Sequence, residues 1–194
     1  MNMMQCSLLL SSNFSEDPLF RYAFTGTPEQ RHRGMEAYFG AALDYCLEFG
    51  ELIMAPGNTA LLAWIPGTAF PPHIDDNRIS SQPMYVVEAW RKINMHEETP
   101  EAIISRDARH FGYIWLLAVD FSVRGRGLAS QLLDSCFDQM REAAIQECWL
   151  STENESNAGF YTKKGFVLVV SETAKSGVKT FVFKKELNPP AYLQ

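Results

Sequence analysis

The sequence lacks the long apolar runs, the basic excess and the leader pattern that mark several large classes of protein. No apolar run in its 194 residues approaches the roughly 18–20 residues of a membrane-spanning helix. The formal net charge is -6, so the chain is a poor candidate for binding nucleic acid or an anionic membrane. A signal peptide is not expected, because the short apolar stretch Leu8–Leu10 has no basic segment before it. We therefore expect neither a nucleic-acid partner nor a membrane partner.

Closely spaced cysteines are also missing. The four cysteines, Cys6, Cys46, Cys136 and Cys148, form no CxxC pair and no zinc-binding pattern. Cys136 lies on the apolar face of a predicted helix, and Cys46 and Cys148 lie in apolar segments, so buried free thiols are the simplest interpretation. Free thiols are typical of a reducing compartment, which predicts a cytoplasmic protein without a metal site.

The sequence has the length and composition of one globular domain covering residues 1–194, with 46% hydrophobic and 21% charged residues. Apolar periodicity, caps and turn residues predict helices from Asp17-Pro18, from Thr27-Pro28 to about Phe49 with Gly50 as its stop, at Met84–His96, from Gly127 to about Ala144, and at Asn157–Lys164. The same signals predict strands at Glu51–Pro56, Thr59–Pro66, Gly112–Val119, Glu147–Thr152, Phe166–Ser171 and Val178–Lys184. Residues 97–109 carry no clear pattern. This order of elements predicts a mixed α/β or α+β domain with one central sheet.

The most informative stretch is Val119–Ser130, where an apolar strand runs into a tight turn that opens a helix. Gly125 and Gly127 allow positive φ and a close approach of the backbone to a ligand. The start of a helix offers unpaired N–H groups and the positive end of the helix dipole, and Arg124 and Arg126 add positive charge. The stretch therefore predicts an anion site that suits a pyrophosphate.

Two common nucleotide-binding motifs do not match this turn. The lysine-containing P-loop pattern is absent, and Ser130 stands where a dinucleotide-binding fingerprint needs its third glycine. The turn also lies too late in the chain for a dinucleotide-binding fold. Taken alone, the turn is equally compatible with a basic glycine turn that binds no ligand.

A second segment, Asn154–Phe166, makes the pattern specific. It reads N-x-x-x-x-x-F-Y-x-x-x-G-F and follows the R-G-x-G-x-A of Arg124–Ala129. Together the two segments resemble the GNAT superfamily of N-acetyltransferases. Asp17–Arg21 at a helix start and Ala63–Gly67 at the end of a hairpin are similar to the branch that contains puromycin N-acetyltransferase.

The resemblance covers most of residues 15–185 and implies a fold. A central, mixed and mostly antiparallel sheet would be flanked by helices, with an acceptor-side half at 15–110 and an acetyl-CoA-binding half at 111–186. The family's first strand is expected to be short or missing, because few residues precede Asp17-Pro18 and Met3–Ser12 suits a helix. Homodimers are common in the family, so a homodimer is an option for this chain too.

The resemblance also implies contacts with coenzyme A. The residues that would hold the pyrophosphate are Arg124, Gly125, Arg126, Gly127, Leu128 and Ala129, with Ser130 in the same helical turn. The residues that would meet the pantetheine arm are the strand residues Leu117, Ala118 and Val119, together with Asn154 and Phe160. Tyr161 would stand near the thioester sulfur.

These parts fit the direct transfer of an acetyl group from acetyl-CoA to a primary amine. A backbone N–H on Leu117–Val119 would stabilise the negative charge that develops on the carbonyl oxygen. Tyr161, whose hydroxyl has an ordinary pKa of about 10, would protonate the leaving thiolate as the catalytic general acid. We expect a small-molecule amine as the acceptor. A protein N-terminus or lysine, or a non-catalytic acyl-CoA-binding module, are the alternatives.

The sequence does not single out a general base or an acceptor site. Glu153, Asp120 and His110 lie near the motifs but none of them is compelling, and a water chain is the alternative. The segments expected to line the acceptor site contain His73, Asp75, Asp76, Tyr85 and Trp90. For each of these, a solvated loop or an inward-packed aromatic is the plainer interpretation.

Overall fold

The computed structural model describes residues 2–74 and 76–187. Its helices are α1 (Met3–Phe14), α2 (Pro18–Ala23), α3 (Pro28–Phe49), α4 (Asp76–Ser80), α5 (Met84–Asp107), α6 (Leu128–Glu142) and α7 (Ala158–Lys163). Its strands are β1 (Glu51–Met54), β2 (Ala60–Pro66), β3 (Phe111–Val119), β4 (Glu147–Thr152), β5 (Val167–Thr173) and β6 (Lys179–Glu186). No helix within the described residues is both long and apolar enough to cross a membrane.

Two helix starts that the sequence predicts from capping residues are present with their side-chain caps. The Asp17 carboxylate accepts a hydrogen bond from the backbone N–H of Leu19 at 2.9 Å. At the start of α3, the Gln30 N–H donates to Thr27 Oγ1 at 3.2 Å, and the Thr27 N–H donates to Gln30 Oε1 at 3.0 Å. This reciprocal pair is the capping box that satisfies two otherwise unpaired N–H groups.

All six strands form one sheet in the order β1-β2-β3-β4-β6-β5. Neighbouring strands are antiparallel except β3 and β4, which are parallel, so the predicted mixed and mostly antiparallel sheet is confirmed. The described residues contain no strand before β1, because the segment in front of Asp17 forms the helix α1. One apolar core lies between the sheet and α1, α2, α3 and α5, and a second lies under α6 and α7.

Helix α5 is longer than the Met84–His96 helix expected from the sequence, because it continues through Pro100 to Asp107. Proline removes one backbone hydrogen bond and normally disfavours a helix interior. Here Ile103 and Ile104 are buried after the proline, and their packing against the core outweighs that cost. Residues 97–107, for which no element was predicted, therefore form the last part of α5 and lie beside the core.

Gly50 ends α3 as expected, although not in the left-handed conformation common at such positions. Its φ is -146°, an extended value that any residue can adopt. A Cβ at this position would overlap the carbonyl oxygen of Trp64 in β2. The glycine is therefore needed for the close approach of the helix end to the neighbouring strand.

Candidate active site

The parallel strands β3 and β4 separate soon after they begin to pair. Their ladder contains three pairs, Phe111 with Glu147, Gly112 with Cys148, and Tyr113 with Trp149. Beyond these, β3 keeps its pairing with β2, whereas β4 follows β6. A gap therefore opens along β3, and the β4-side edge of its last residues has no strand partner among the described residues.

One face of β3 follows this gap. Leu117 and Val119 are half-buried, whereas the alternate residues Leu116 and Ala118 are buried on the opposite face. A β-bulge at Trp115, where the register against β2 shifts, locally changes the direction of the strand. The near-continuous apolar sequence of residues 112–119 is typical of a strand that is buried on both faces. The half-exposed face exists because the two strands diverge here.

A cleft of about 500 Å³ lies at the carboxyl end of β3. The sequence-predicted residues that line it are Leu117, Val119, Arg124, Gly125, Gly127, Leu128, Ala129, Ser130, Phe160 and Tyr161. Asn13, Val123 and Asn157 line it as well, and the sequence did not point to them. The turn and the tyrosine-bearing segment, about 30 residues apart in the chain, thus meet in one cleft.

The turn has the backbone geometry that its glycines permit. Gly125 has φ 78° and Gly127 has φ 80°, in the left-handed region that favours glycine. A Cβ at either position would meet nothing within 4 Å, so both glycines border open space. The Gly127 carbonyl accepts the first hydrogen bond of α6, from the N–H of Gln131 at 3.0 Å. The N–H groups of the first turn, at Leu128, Ala129 and Ser130, find no acceptor among the described residues and face the cleft.

Arg124 is held beside this helix start. Its guanidinium donates to Asn13 Oδ1 at 2.7 Å and to the Val119 carbonyl at 3.3 Å. The same group lies 3.8 Å from the centre of the Phe121 ring. Helix α1 and the end of β3 therefore fix a positive charge next to unpaired N–H groups, an arrangement that suits an anion.

Three predicted cofactor contacts lie outside the cleft lining. Ala118 points into the core, and Arg126 is exposed in the turn. Asn154 caps the short turn after β4, where its Oδ1 accepts from the N–H of Ser156 at 3.1 Å. Asn157, three residues later, is the asparagine that lines the cleft.

Tyr161 lies where this cleft meets the gap between β3 and β4. Its ring is 8% exposed and packs edge-on against Phe160 and Phe166, with ring centres 5.4 and 5.7 Å away. Its hydroxyl has no hydrogen-bond partner in the part of the chain that the structure describes. Burial, together with nearby Cys148 and Glu153, raises the pKa of Tyr161 above its ordinary value, so the phenol keeps its proton at neutral pH.

The gap itself is a narrow cavity of about 80 Å³. It shares Leu117, Asn157 and Tyr161 with the cleft. It also shares four residues, Tyr38, Glu97, Tyr113 and Trp115, with a pocket of about 230 Å³. The cleft, the gap and the pocket therefore adjoin one another along β3, and we call this row of cavities the passage.

Five acidic side chains border the gap and the pocket, and one of them, Glu98, forms an ion pair with Lys175. The other four are Asp17, Glu97, Glu101 and Glu153. No lysine or arginine in residues 2–74 and 76–187 forms an ion pair with any of them. Burial and the charge of Glu153 raise the pKa of Asp17 to about 7, and burial and Glu98 raise the pKa of Glu101 to about 7. The pKa of Glu97 is raised well above its usual range by burial and by Glu153, Glu101 and Asp17.

Glu153 is tied to a buried histidine. Nε2 of His96, which is fully buried, lies 3.1 Å from Glu153 Oε1, and its Nδ1 lies 2.8 Å from Ser176 Oγ. The Thr180 hydroxyl also donates to Glu153 Oε1, at 3.0 Å. Glu153 was one of the sequence candidates for the base, and the structure holds it at the gap.

The other sequence candidates lie elsewhere. Asp120 caps the turn after β3 by accepting from the Ser122 N–H at 2.8 Å, and His110 is exposed in front of β3.

The residues expected at the acceptor site divide into two groups. Trp90 is 2% exposed and packs against Tyr38 in the core, whereas His73 lines the 230 Å³ pocket. Asp75 lies outside the described residues.

Tyr38 and Glu97 are two further cavity-lining residues to which the sequence did not point. Both come from long helices, and both line the gap and the pocket. Apolar periodicity predicts α3 around Tyr38 but gives no sign that its hydroxyl faces a cavity. Glu97 lies in residues 97–107, for which no helix was predicted because proline normally disfavours a helix interior.

Comparison with known proteins places the two sequence motifs in a family. Residues 44–166 match the model of the acetyltransferase (GNAT) family. The N-alpha-acetyltransferase 30 of Saccharomyces cerevisiae is 38% identical over 64 residues, which are 32% of this chain and 36% of that protein. The protein of the same name from Schizosaccharomyces pombe is 40% identical over 57 residues, 28% of this chain and 38% of that one. The chain thus spans little more than a third of the length of these relatives.

Solved structures support the fold over nearly the whole chain. The C-terminal condensation domain of Ebony, solved in complex with β-alanyl-dopamine, has a TM-score of 0.69 at 9% identity and covers 93% of this chain and 92% of its own. A crystal structure of an acetyltransferase has a TM-score of 0.51 at 19% identity, with 96% and 95% covered. At such identities the likeness concerns the fold alone. The family match, in contrast, covers more than half of the sequence and includes both motifs, and the chain therefore belongs to the acetyltransferase (GNAT) family.

Proposed function

We propose that this chain is an N-acetyltransferase that transfers the acetyl group of acetyl-CoA directly to the primary amine of a small, cationic molecule. The observation that carries the proposal is the single passage along β3. It joins an anion-binding cleft, a tyrosine, a narrow gap and an acidic pocket in that order. A donor and an acceptor that enter from opposite ends would meet in the gap.

The cleft suits coenzyme A. The free N–H groups of Leu128, Ala129 and Ser130 and the guanidinium of Arg124 offer donors and positive charge to a pyrophosphate. Arg126, exposed on the same turn, is placed to add charge at its outer side. The unpaired edge of β3 at Leu117–Val119, which includes the backbone of Ala118, offers strand-like hydrogen bonds to the amide-containing pantetheine arm. In the proposed complex, Asn157 takes the contact that the sequence assigned to Asn154.

The acidic pocket suits an amine. An amine is protonated at neutral pH, and Glu97 and Glu101, which form no ion pair with a lysine or arginine among the described residues, favour its entry as an ammonium. A pocket of about 230 Å³ also has the size of a small molecule rather than of a folded partner. The geometry therefore favours a small acceptor, which was the expectation from the sequence.

The residues along the gap divide the proton transfers between them. Glu97, at the acceptor end, accepts a proton from the ammonium so that the neutral amine can attack the thioester carbonyl. As the N–C bond forms and the C–S bond breaks, an N–H on β3 stabilises the negative charge on the carbonyl oxygen. Tyr161, at the cofactor end, gives its proton to the departing sulfur and regains one from the nitrogen of the product. The passage contributes further by holding both reactants in line.

A peptide N-terminus is the second candidate acceptor, because the two named relatives are N-alpha-acetyltransferases. It would have to place its first residue in the same acidic pocket and the rest of the peptide outside it. A homodimer and a cytoplasmic location stay predictions from the sequence.

Thermal unfolding with acetyl-CoA, ATP or NAD tests the cofactor part of this proposal. At about 100-fold excess over its dissociation constant, a ligand stabilises the native state by about 2.7 kcal/mol. For a domain of this size that raises the melting temperature by about 5–10 °C. A rise with acetyl-CoA alone supports the cleft as its site. An unchanged melting temperature with acetyl-CoA contradicts the proposal.

A further inference from the structure

Two carboxylates in the acceptor pocket share one face of α5. Glu97 and Glu101 are four residues apart in the helix, so their backbones lie about 6 Å apart along its axis and their side chains point the same way. Both line the 230 Å³ pocket, and Glu97 alone of the two also borders the gap. Glu98, in contrast, already forms an ion pair with Lys175. The described residues supply no such cation to Glu97 or Glu101.

An unpaired tyrosine marks the inner end of the same pocket. Tyr38 is 5% exposed and lines both pocket and gap. Its hydroxyl has no hydrogen-bond partner within the described residues. A polar group of a bound molecule would provide that partner, next to Glu97.

Apolar surface lies around the acidic face. Phe70, Ile93 and Trp115 also line the pocket. A short methylene chain between two polar ends fits such walls, because its burial removes apolar surface from water. A ligand with one charge would pair with one carboxylate and leave the other without a cation.

We propose that the acceptor is a short α,ω-diamine. Its outer ammonium pairs with Glu101, and Glu97 and Tyr38 receive the inner amine that enters the gap. This rests on the proposed function and names its substrate class. Since burial raises the pKa of Glu101 to about 7, ionised Glu101 is costly in the empty pocket, and a second ammonium offsets that cost.

The chemistry at the inner end is the acetyl transfer already described. The inner ammonium loses one proton to Glu97, the amine nitrogen forms its bond to the acetyl carbon, and the bond from that carbon to sulfur breaks. The sulfur leaves with a proton as the free thiol. The outer ammonium keeps its three protons throughout and serves as an anchor.

The test compares amines of one chain length. We would measure kcat/KM for 1,4-diaminobutane and for butylamine, with release of the coenzyme A thiol as readout, in the wild-type protein, Glu101→Gln and Glu88→Gln. Glu88 is exposed on the same helix and outside the pocket, so its variant controls for the lost charge. We expect the wild type to prefer the diamine by about 10-fold or more, as for other interactions with a charged partner.

In Glu101→Gln this preference should fall to near one, and in Glu88→Gln it should persist. Equal use of both amines by the wild type, or a preference that survives in Glu101→Gln, overturns the diamine assignment while the proposed function stands. No turnover of any amine, despite stabilisation by acetyl-CoA, contradicts the proposed function and the diamine assignment together.

Discussion

Tyr161 and Glu97 border opposite ends of the same gap between β3 and β4. Tyr161 also lines the cleft with the free N–H groups, and Glu97 also lines the acidic pocket. In the proposed mechanism, Tyr161 gives a proton on the thiol side and Glu97 takes a proton on the amine side. Burial raises the pKa of both, which keeps the tyrosine neutral and lets the carboxylate act as a base nearer to neutral pH.

Removal of the Tyr161 hydroxyl tests its role as the acid. We expect Tyr161→Phe to lower kcat by about 100-fold or more, because general acid catalysis commonly contributes 10²–10⁴-fold. Affinity for acetyl-CoA, measured by calorimetry, should change little, because the ring and its packing remain. Tyr22→Phe, at a half-buried ring outside the passage, is the control. Unchanged turnover in Tyr161→Phe would remove the tyrosine from the mechanism.

Binding of acetyl-CoA should depend on the positive φ values of Gly125 and Gly127 in the turn before α6. Gly127→Ala meets no steric obstacle, yet it places alanine at φ 80°, which costs about 1–2 kcal/mol or shifts the turn. We expect acetyl-CoA to bind roughly ten-fold more weakly. Gly40→Ala makes the same change inside α3 with open space around its Cβ and without a positive φ. Equal affinities in the two variants would show that the turn does not position the cofactor.

The pH dependence of turnover tests Glu97 as the base. Its pKa is raised by burial and by the carboxylates of Glu153, Glu101 and Asp17, and Glu153 is in turn linked to His96. A base must be deprotonated, so wild-type kcat/KM should rise with pH as Glu97 loses its proton. In Glu97→Gln the rate should fall by about 100-fold, and that limb of the profile should vanish. If kcat/KM depends on pH in the same way in the wild type and in Glu97→Gln, the base is another group.

The protonation of Asp17, which borders the gap, should make the stability of the fold depend on pH. Its folded-state pKa of about 7 exceeds its unfolded value of about 3.9, so the proton it keeps stabilises the native state fully below about pH 4. That contribution is lost as pH rises to about 7. Asn at this position can still accept the Leu19 N–H but carries no charge.

We therefore expect Asp17→Asn to raise the free energy of unfolding at pH 8, by something on the order of 2 kcal/mol. The difference should shrink towards zero near pH 4. Thermal melts of both proteins at the two pH values provide the measurement. A gain of the same size at both would show that the charge of Asp17 is not its cause.

Local features of this fold were predictable because they depend on neighbouring residues. Thr27 and Gln30 form their capping box within one helical turn, and Gly125 and Gly127 adopt the φ values that only glycine adopts easily. The strand–turn–helix and the second motif therefore predicted the family, and most of the residues they pointed to line one cleft. Residues 97–107 were missed because the packing of Ile103 and Ile104, which keeps Pro100 inside a helix, is a tertiary effect.

The acceptor end was not predictable for a related reason. Tyr38 and Glu97 come from helices far apart in the chain, and only the crossing of those helices at the gap brings them together. Asn13 supports Arg124 from 111 residues away, and no spacing in the sequence signals such a contact. Asn154 and Asn157 lie three residues apart in the sequence. Only the structure shows that Asn154 caps the turn after β4 and that Asn157 lines the cleft.

Acetylation of an amine is the most direct test of the central claim. The purified protein would be incubated with acetyl-CoA and a set of small primary amines, with thiol release and the mass of the product recorded together. We predict one thiol per added acetyl group on at least one amine, with activity lost in both Tyr161→Phe and Glu97→Gln. Thiol release without an acetylated amine, or acetylation that neither variant reduces, would contradict acetyl transfer through this passage.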